Sequence, residues 1–356
     1  MRQRLADADA AGILIGGGAD LEYLTGYEAM PLERITAFVG RLSASEVLPT
    51  LIVPELEAAR VRRRPSVYGV ATWDDTTDPV STIASALPQR GRVVVSDDLW
   101  ALHVLGLMHQ RPELDLVPAS KAVGGLRSIK SQEERDALAA AGSLADKVAA
   151  QIQHRDLPLV GRTEAEVAAE VADRLIEAGH ETVEFVIVAS GPNSASPHHH
   201  PGPRAIERDE MVMFDFGGSF GGFCSDTTRC VYTGPVPQDV RDAYTVLTEA
   251  QEAAVQAAKP GRPLAEVDLA ARRIIGAAGF GDYFIHRTGH GIGAEVHEHP
   301  YVTELNSEPV QIGHAFSIEP GIYLPDRWGM RLEDIVVIEA DGARRCNNSN
   351  RSLVEV

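Results

Sequence analysis

Residues 211–233 read MVMFDFGGSFGGFCSDTTRCVYT, and this stretch decides the fold of the second half of the chain. It has the pattern of two apolar strands joined by a glycine-rich turn, with one aspartate in each strand. Folding the stretch about Phe220 and Gly221 predicts that Asp215 lies opposite Asp226, unless a glycine bulge shifts the register. Like charges that face each other destabilise a sheet, and a buried carboxylate is costly unless it is paired or binds a metal. We therefore expect a divalent cation between the two aspartates.

A second pair of apolar runs, residues 314–325 and 330–339, places two glutamates in the same way. Folding this pair about Asp326 predicts that Glu319 lies opposite Glu333. The two hairpins indicate an internal duplication, in which each half of the domain supplies one side of a metal site.

The segment between the hairpins, FIHRTGHGIGAEVHEHP (residues 284–300), adds His290 in a glycine-flanked bend. Two aspartates, two glutamates and one histidine form a ligand set for two cations held close together. Hard carboxylate oxygens with one imidazole suit Mn²⁺, Co²⁺, Fe²⁺ or Zn²⁺ better than an ion that prefers thiolates.

At these residues the chain resembles the metallopeptidase family that comprises prolidases, proline-specific aminopeptidases, methionine aminopeptidases and creatinases. The motifs that carry the resemblance are, in order, FDFG, CSDTTR, HRTGHGIG, SIEPGIY and MRLEDIVVI. The resemblance implies a pita-bread catalytic domain that binds two divalent metal ions, Mn²⁺ first, with Co²⁺ or Zn²⁺ also possible. It implies a bridging hydroxide as the attacking group. The metal ligands that it implies are Asp215, Asp226, His290, Glu319 and Glu333, with Asp226 and Glu333 bridging.

The same resemblance implies further site residues. Glu319 would also move a proton from water to the leaving nitrogen, and His297 and His198 would line the catalytic cleft. His199 and His200 are more typical of loop residues, and their roles stay open. His286, Arg331 and Tyr323 are candidates for substrate binding. For Arg331 two interpretations are equal: it clamps a substrate carboxylate, or it supports the metal ligands.

The first 120 residues alternate short apolar runs with helical patterns, which predicts a three-layer, ribonuclease H-like α/β domain. The predicted strands cover residues 12–17, 35–40, 48–54, 67–73, 92–98 and 114–119. The stretch YLTGYEAMPLERITAFV resembles the N-terminal domain of the longer family members, which methionine aminopeptidases lack. We expect an α+β protein with domains at 1–122 and 123–356, joined near Gly124 and Gly125. Long helices are predicted at 131–153 and 163–179.

Composition limits the class of protein. A net charge of −18 opposes binding to phosphate backbones, so nucleic acid is not an expected partner. Three cysteines do not make a disulfide framework and fit a reducing compartment. Because no signal-peptide pattern and no run of about 20 apolar residues occurs, we expect a cytoplasmic protein without a membrane partner.

We therefore expect a metallopeptidase that hydrolyses Xaa-Pro bonds, foremost in dipeptides, and that forms a homodimer. The short chain, without an extra C-terminal domain, favours the dipeptidase over an Xaa-Pro aminopeptidase that acts on longer peptides. Two further hypotheses are a hydrolase of non-peptide amides on the same scaffold and a binding module with a decayed site. The intact ligand set argues against both.

Overall fold

A computed structural model describes residues 2–29, 32–42, 48–122 and 126–356 of the chain. The chain divides into two compact units, Met1–Arg127 and Ser128–Val356. The predicted domain boundary at 122/123 borders residues 123–125. These residues, with the predicted joint at Gly124 and Gly125, lie outside the described part, so that boundary stays a prediction.

In the described part of the first unit, one sheet has the strand order β4-β3-β2-β1-β5-β6. The strands are β1 (Ala10–Gly16), β2 (Ala37–Arg41), β3 (Thr50–Pro54), β4 (Gly69–Trp73), β5 (Gly91–Val95) and β6 (Leu114–Pro118), so every strand predicted from the sequence here is confirmed. The helices are α1 (Arg2–Asp7), α2 (Ala19–Thr25), α3 (Pro79–Ala86), α4 (Ala101–Gln110) and α5 (Ala119–Ala122), and a 3₁₀ helix covers Glu55–Arg60.

The side chains of β1 alternate between the two faces of the sheet, and this alternation explains the layers of the first unit. Ile13 and Ile15 pack into one apolar cluster, and Leu14 packs into another. Because successive side chains of a strand point to opposite faces, the two clusters cover the two faces of the sheet. This is the three-layer arrangement that the alternating pattern predicted.

The second unit contains long helices and short strands. The helices are α6 (Gln132–Gln153), α7 (Glu164–Ala178), α8 (Gln238–Ala257) and α9 (Leu264–Ala277), with 3₁₀ helices at Gly191–Ala195 and Gly281–Tyr283. The strands are β7 (Thr182–Ser190), β8 (Met211–Phe220), β9 (Phe223–Cys224), β10 (Thr227–Tyr232), β11 (Gly289–Gly291), β12 (Glu298–Val302), β13 (Ala315–Ile318), β14 (Gly321–Leu324), β15 (Trp328–Arg331), β16 (Asp334–Glu339), β17 (Gly342–Arg345) and β18 (Val354–Glu355). They pair in the orders β18-β10-β8-β7, with β9 on β8, then β12-β11-β13-β16-β17, and β14-β15.

Local sequence fixes where the first two helices begin. Ser131 and Glu134 form a capping box at α6, and Thr163 and Glu166 form another at α7. The apolar faces of α6 and α7 pack with β8 in one core, and those of α8 and α9 pack in a second core. The four helices therefore support the strands whose ends hold the acidic residues.

The register predicted for the first hairpin is wrong by two residues. Asp215 pairs with Thr228 instead of Asp226. The turn lies at Gly221 and Gly222, whose φ angles are 61° and 78°. Positive φ at both central residues is the requirement of a two-residue type I′ turn, which moves the centre of the hairpin one residue along the chain. Asp226 lies between β9 and β10.

The register predicted for the second hairpin is confirmed. Gly321 pairs with Arg331 and Leu324 pairs with Trp328, so the ladder is symmetric about Asp326. Glu319 and Glu333 follow at the open end of this ladder, two residues beyond the last pair. Both glutamates therefore leave the hairpin at the same place.

Candidate metal centre

One cavity of about 720 Å³ in the second unit collects the residues that the motifs singled out. Every predicted site residue except Tyr323 lines it. These are Asp215, Asp226, His290, Glu319, Glu333, His198, His297, His286 and Arg331. They come from segments that are far apart in sequence, so the cavity exists only in the folded chain.

Asp215 lies in the middle of β8, whereas the other predicted metal ligands lie at strand ends or beside glycines. His290 is the middle residue of β11, and Glu319 directly follows β13. One ligand atom from each of Asp226, His290 and Glu333 lies within 4.8 Å of the others. The His290 Nε2 atom is 3.3 Å from Glu319 Oε1 and 3.6 Å from Asp226 Oδ2. This spacing leaves room for an ion between an imidazole and the carboxylates.

Two of these carboxylates are buried with oxygens that have no partner among the described residues. Those atoms are Asp226 Oδ1 and Glu333 Oε1. Burial first, and then the neighbouring carboxylates, raise the pKa of Asp226 and of Glu333 well above their usual range. A buried oxygen without a hydrogen bond is costly, and a divalent cation would satisfy both atoms.

The imidazole of His290 has the tautomer that a metal ligand needs. Its Nδ1 atom lies 3.1 Å from the carbonyl oxygen of Gly291, so Nδ1 carries the proton and donates it. Burial lowers the pKa of His290 to about 3, which keeps the ring neutral. The lone pair of Nε2 then faces carboxylate oxygens, an arrangement that is favourable only with a cation between them.

Arg331 and Thr228 form hydrogen bonds that hold the carboxylates in place. The guanidinium of Arg331 donates to Asp215 Oδ2 at 2.6 Å, to Thr228 Oγ1 at 3.0 Å and to the Tyr323 hydroxyl at 2.8 Å. A fourth N–H reaches the carbonyl oxygen of Pro197 at 3.2 Å. These contacts favour the interpretation of Arg331 as a support of the ligands.

Tyr323 does not line the cavity, because its hydroxyl is buried between two site residues. It lies 2.8 Å from His286 Nε2 and accepts the hydrogen bond from Arg331. Burial raises the pKa of Tyr323 and lowers that of His286 to about 3. The side chains of His286, Tyr323 and Arg331 therefore form one hydrogen-bonded row. That Tyr323 binds substrate stays a prediction, and these contacts do not favour it.

The two histidines predicted for the cleft both have exposed side chains. The ring of His297 lies 4.0 Å from that of His290, centroid to centroid, and burial lowers its pKa. His198 is exposed on the cavity wall. Both therefore reach the space in front of the carboxylates, as their motif implied.

The loop after β7 depends on a residue that sequence reasoning did not single out. The carboxylate of Glu164, fully buried at the start of α7, accepts from the backbone N–H and hydroxyl of Ser190 and from the Asn193 amide. His199 Nε2 lies 2.7 Å from the same carboxylate. In sequence, Glu164 is an ordinary acidic residue of a first helical turn, so no local pattern marks it.

None of the helices in the described residues is both long enough and apolar enough to cross a bilayer. All three cysteines are buried, and none of them forms a disulfide bond.

Comparisons with known proteins agree with this geometry. Residues 135–340 match the model of metallopeptidase family M24, and residues 1–129 match the creatinase/prolidase N-terminal domain. A probable dipeptidase PepE of Mycobacterium tuberculosis is 42% identical over 356 residues, covering 99% of this chain and 93% of that protein. An Xaa-Pro dipeptidase of Lactobacillus helveticus is 35% identical over 362 residues, covering 99% and 97%.

A solved structure matches the whole fold. The crystal structure of dipeptidase PepE from Mycobacterium ulcerans has a TM-score of 0.92 and 41% identity, and the match covers 100% of this chain and 95% of that one. The predicted fold class, a pita-bread domain after an N-terminal α/β domain, is thereby confirmed.

Proposed function

The chain belongs to metallopeptidase family M24 and carries the creatinase/prolidase N-terminal domain, and from this premise we propose that it hydrolyses the Xaa-Pro bond of dipeptides. The observation that carries the proposal is a pair of buried carboxylate oxygens, Asp226 Oδ1 and Glu333 Oε1, that have no hydrogen-bond partner among the described residues. Both side chains line the cavity together with His290. The Xaa-Pro dipeptidase of Lactobacillus helveticus, 35% identical, supports the substrate class.

Five residues would hold two divalent ions: Asp215, Asp226, His290, Glu319 and Glu333. When bound, the ions would activate a water molecule and polarise the scissile carbonyl. We keep manganese as the first candidate, because hard carboxylate oxygens dominate the set.

Glu319 is the residue that would move the proton. Burial raises its pKa to about 7, and the Ser317 hydroxyl donates to it at 3.0 Å. A carboxylate at this position would take a proton from water and return it to the leaving nitrogen. His297, neutral and next to His290, would donate a hydrogen bond to the carbonyl oxygen as negative charge develops there.

Proline explains why such a site is needed. The bond to a proline nitrogen is a tertiary amide without an N–H, so a peptidase that reads the amide hydrogen cannot recognise it. A site that acts on the carbonyl and on the leaving nitrogen does not depend on that hydrogen.

The proposal includes a homodimer in the cytoplasm. Three buried cysteines that form no disulfide bond fit a reducing compartment. Sedimentation of the purified protein would test the dimer.

The test of the activity uses metal-stripped protein with Mn²⁺ or Co²⁺ added back. We expect cleavage of Ala-Pro, slow or no cleavage of Ala-Pro-Ala, and no cleavage of Ala-Ala. The Asp226→Asn variant is the matched control and should lose metal and activity together. Equal cleavage of Ala-Pro-Ala would point to an aminopeptidase, and metal binding without cleavage of either peptide would reject the proposal.

A further inference from the structure

The cavity contains two arginines that differ in how many of their N–H groups already form hydrogen bonds. Among the described residues that line it, Arg287 and Arg331 carry permanent positive charge. Arg331 donates to Asp215, Thr228, Tyr323 and the Pro197 carbonyl, so its hydrogen-bonding capacity is largely used. It is therefore poorly suited to bind a second carboxylate.

Arg287 is half-buried on the cavity wall and is free to bind a ligand. Within the described ranges of the chain, its guanidinium forms neither an ion pair nor a hydrogen bond. Its Cζ atom lies 4.3 Å from the centroid of the Tyr301 ring, which orients the guanidinium without using its N–H groups. Its charge acts on two other residues of the cavity: it opposes the burial that raises the pKa of Glu319, and it adds to the burial that lowers the pKa of His297.

The backbone that carries Arg287 is held firmly on both sides. Arg272 donates to the carbonyl oxygens of Phe284 and His286 at 3.1 and 2.5 Å. The N–H of Thr288 donates to Asp268 Oδ1 at 3.0 Å, and Asp268 pairs with Arg272. The side chain of Arg287 thus extends from a backbone that is already held in place, which reduces the entropy cost of ordering it around a ligand.

A dipeptide needs such a cation. Its C-terminal carboxylate would enter a cavity that already contains four acidic side chains: Asp215, Asp226, Glu319 and Glu333. Two bound divalent ions would be balanced by these four charges, so a further carboxylate needs a positive group of its own. A guanidinium can do so with two parallel hydrogen bonds, whereas an extended peptide presents no charge at this position.

We propose that Arg287 binds the C-terminal carboxylate of an Xaa-Pro dipeptide and thereby selects dipeptides over longer peptides. The inference rests on the proposed Xaa-Pro activity and assigns it a specificity residue.

The experiment compares Ala-Pro with its C-terminal amide, Ala-Pro-NH₂, in the metal-loaded enzyme. The native enzyme should prefer the free acid. Arg287→Gln should reduce the ratio of the two kcat/KM values by about 10- to 100-fold, the range expected for charge-assisted hydrogen bonds, mainly through KM. Arg287→Lys should retain part of the preference. Arg273→Gln, which removes the same charge from an exposed position of α9, should leave the ratio unchanged.

Calorimetric titration with L-proline and L-prolinamide gives a second readout that does not depend on turnover. Arg287→Gln should weaken the binding of proline and leave that of prolinamide unchanged. An unchanged acid-to-amide ratio in Arg287→Gln would overturn the proposal. So would a variant that alters only the preference between Glu-Pro and Lys-Pro, because Arg287 would then face the N-terminal residue. Failure of the native enzyme to cleave Ala-Pro at all would instead reject the proposed function.

Discussion

Thr228 links the two sides of the metal site through a single hydroxyl group. Its Oγ1 atom lies 3.0 Å from Asp215 Oδ1 and 2.7 Å from Glu333 Oε2, and it accepts a hydrogen bond from Arg331. One hydroxyl has one proton, so it can donate to one of the two carboxylates at a time. The other carboxylate would then have a bound cation as its partner.

Removing that hydroxyl should weaken metal binding. We predict that Thr228→Val, which keeps the shape of the side chain, lowers the affinity for Mn²⁺ by about 10- to 100-fold, the usual effect of losing a group that orients the metal ligands. Thr228→Ser keeps the hydroxyl and should bind within a few fold of the native protein. Calorimetric titration of the metal-free proteins measures both. Equal affinities for the valine and serine variants would contradict this role of Thr228.

His314 should make stability depend on pH. It is a buried residue just before β13, and burial, with a smaller effect of Lys130, lowers its pKa to about 4. In the unfolded chain a histidine has a pKa of about 6.5, so between these values the unfolded state binds the extra proton. The stabilising contribution is therefore complete above about pH 6.5 and is lost as the pH falls toward 4.

The variant His314→Gln tests the direction of this pH dependence. The native protein should lose up to about 3 kcal/mol more than the variant between pH 7 and pH 4, since one pKa unit corresponds to about 1.4 kcal/mol. Urea unfolding at several pH values, at constant metal concentration, gives the difference. Parallel pH profiles for the two proteins would exclude His314 as the source.

At the scale of the elements, close approach of strands fixes where His290 lies. A Cβ atom on Gly289 would meet the carbonyl oxygen of Ser317 at 1.9 Å, and the N–H of His290 donates to the Ser317 hydroxyl at 3.0 Å. The glycine before the ligand therefore permits β11 to approach the chain that leads to Glu319.

Two glycine substitutions should act in opposite directions. Gly289→Ala should destabilise the protein by about 1–3 kcal/mol through overpacking and should reduce metal binding. Gly276→Ala, in α9, meets nothing within 4 Å and should stabilise it by about 0.4–1 kcal/mol, because alanine restricts the unfolded chain. Urea unfolding measures both. A stabilising Gly289→Ala would show that the strands can separate without cost.

The elements were predictable where one local signal was enough. Alternating apolar runs predicted the strands of the first unit, and the capping box at Ser131 marked the start of α6. The first hairpin offered several glycines for its turn, and only the φ angles of Gly221 and Gly222 choose between the registers. The second hairpin has one such centre, Asp326, with a φ angle of 59°, and its register was predicted correctly.

The contents of the cavity were predictable only through motifs. The ligands fall in motifs of fixed order, so their convergence could be expected. The buried carboxylate of Glu164 and the uncommitted guanidinium of Arg287 depend on contacts between distant parts of the chain. No periodicity or spacing marks either residue, although Arg287 stands within the motif HRTGH.

At the scale of the whole molecule, the cluster of acidic side chains lowers the stability of the folded protein, and a bound metal ion would remove this loss. The second unit keeps Asp226 and Glu333 buried beside other carboxylates, and burial first, then this repulsion, raise their pKa values. An ion that binds the native state and not the unfolded chain stabilises the protein by mass action. The gain is about 2.7 kcal/mol when the free ion is at 100 times its Kd.

We therefore predict that saturating Mn²⁺ raises the thermal midpoint of the metal-stripped protein by about 5–10 °C, given about 2–4 °C per kcal/mol for a domain of this size. Scanning calorimetry over a series of Mn²⁺ concentrations measures the shift. Asp226→Asn should abolish most of it, because the variant loses a ligand. Without metal, this variant should unfold at or above the midpoint of the native protein, since it removes a buried carboxyl group that lies beside other carboxylates. A native-sized metal shift in Asp226→Asn would mean that the stabilising ion binds elsewhere.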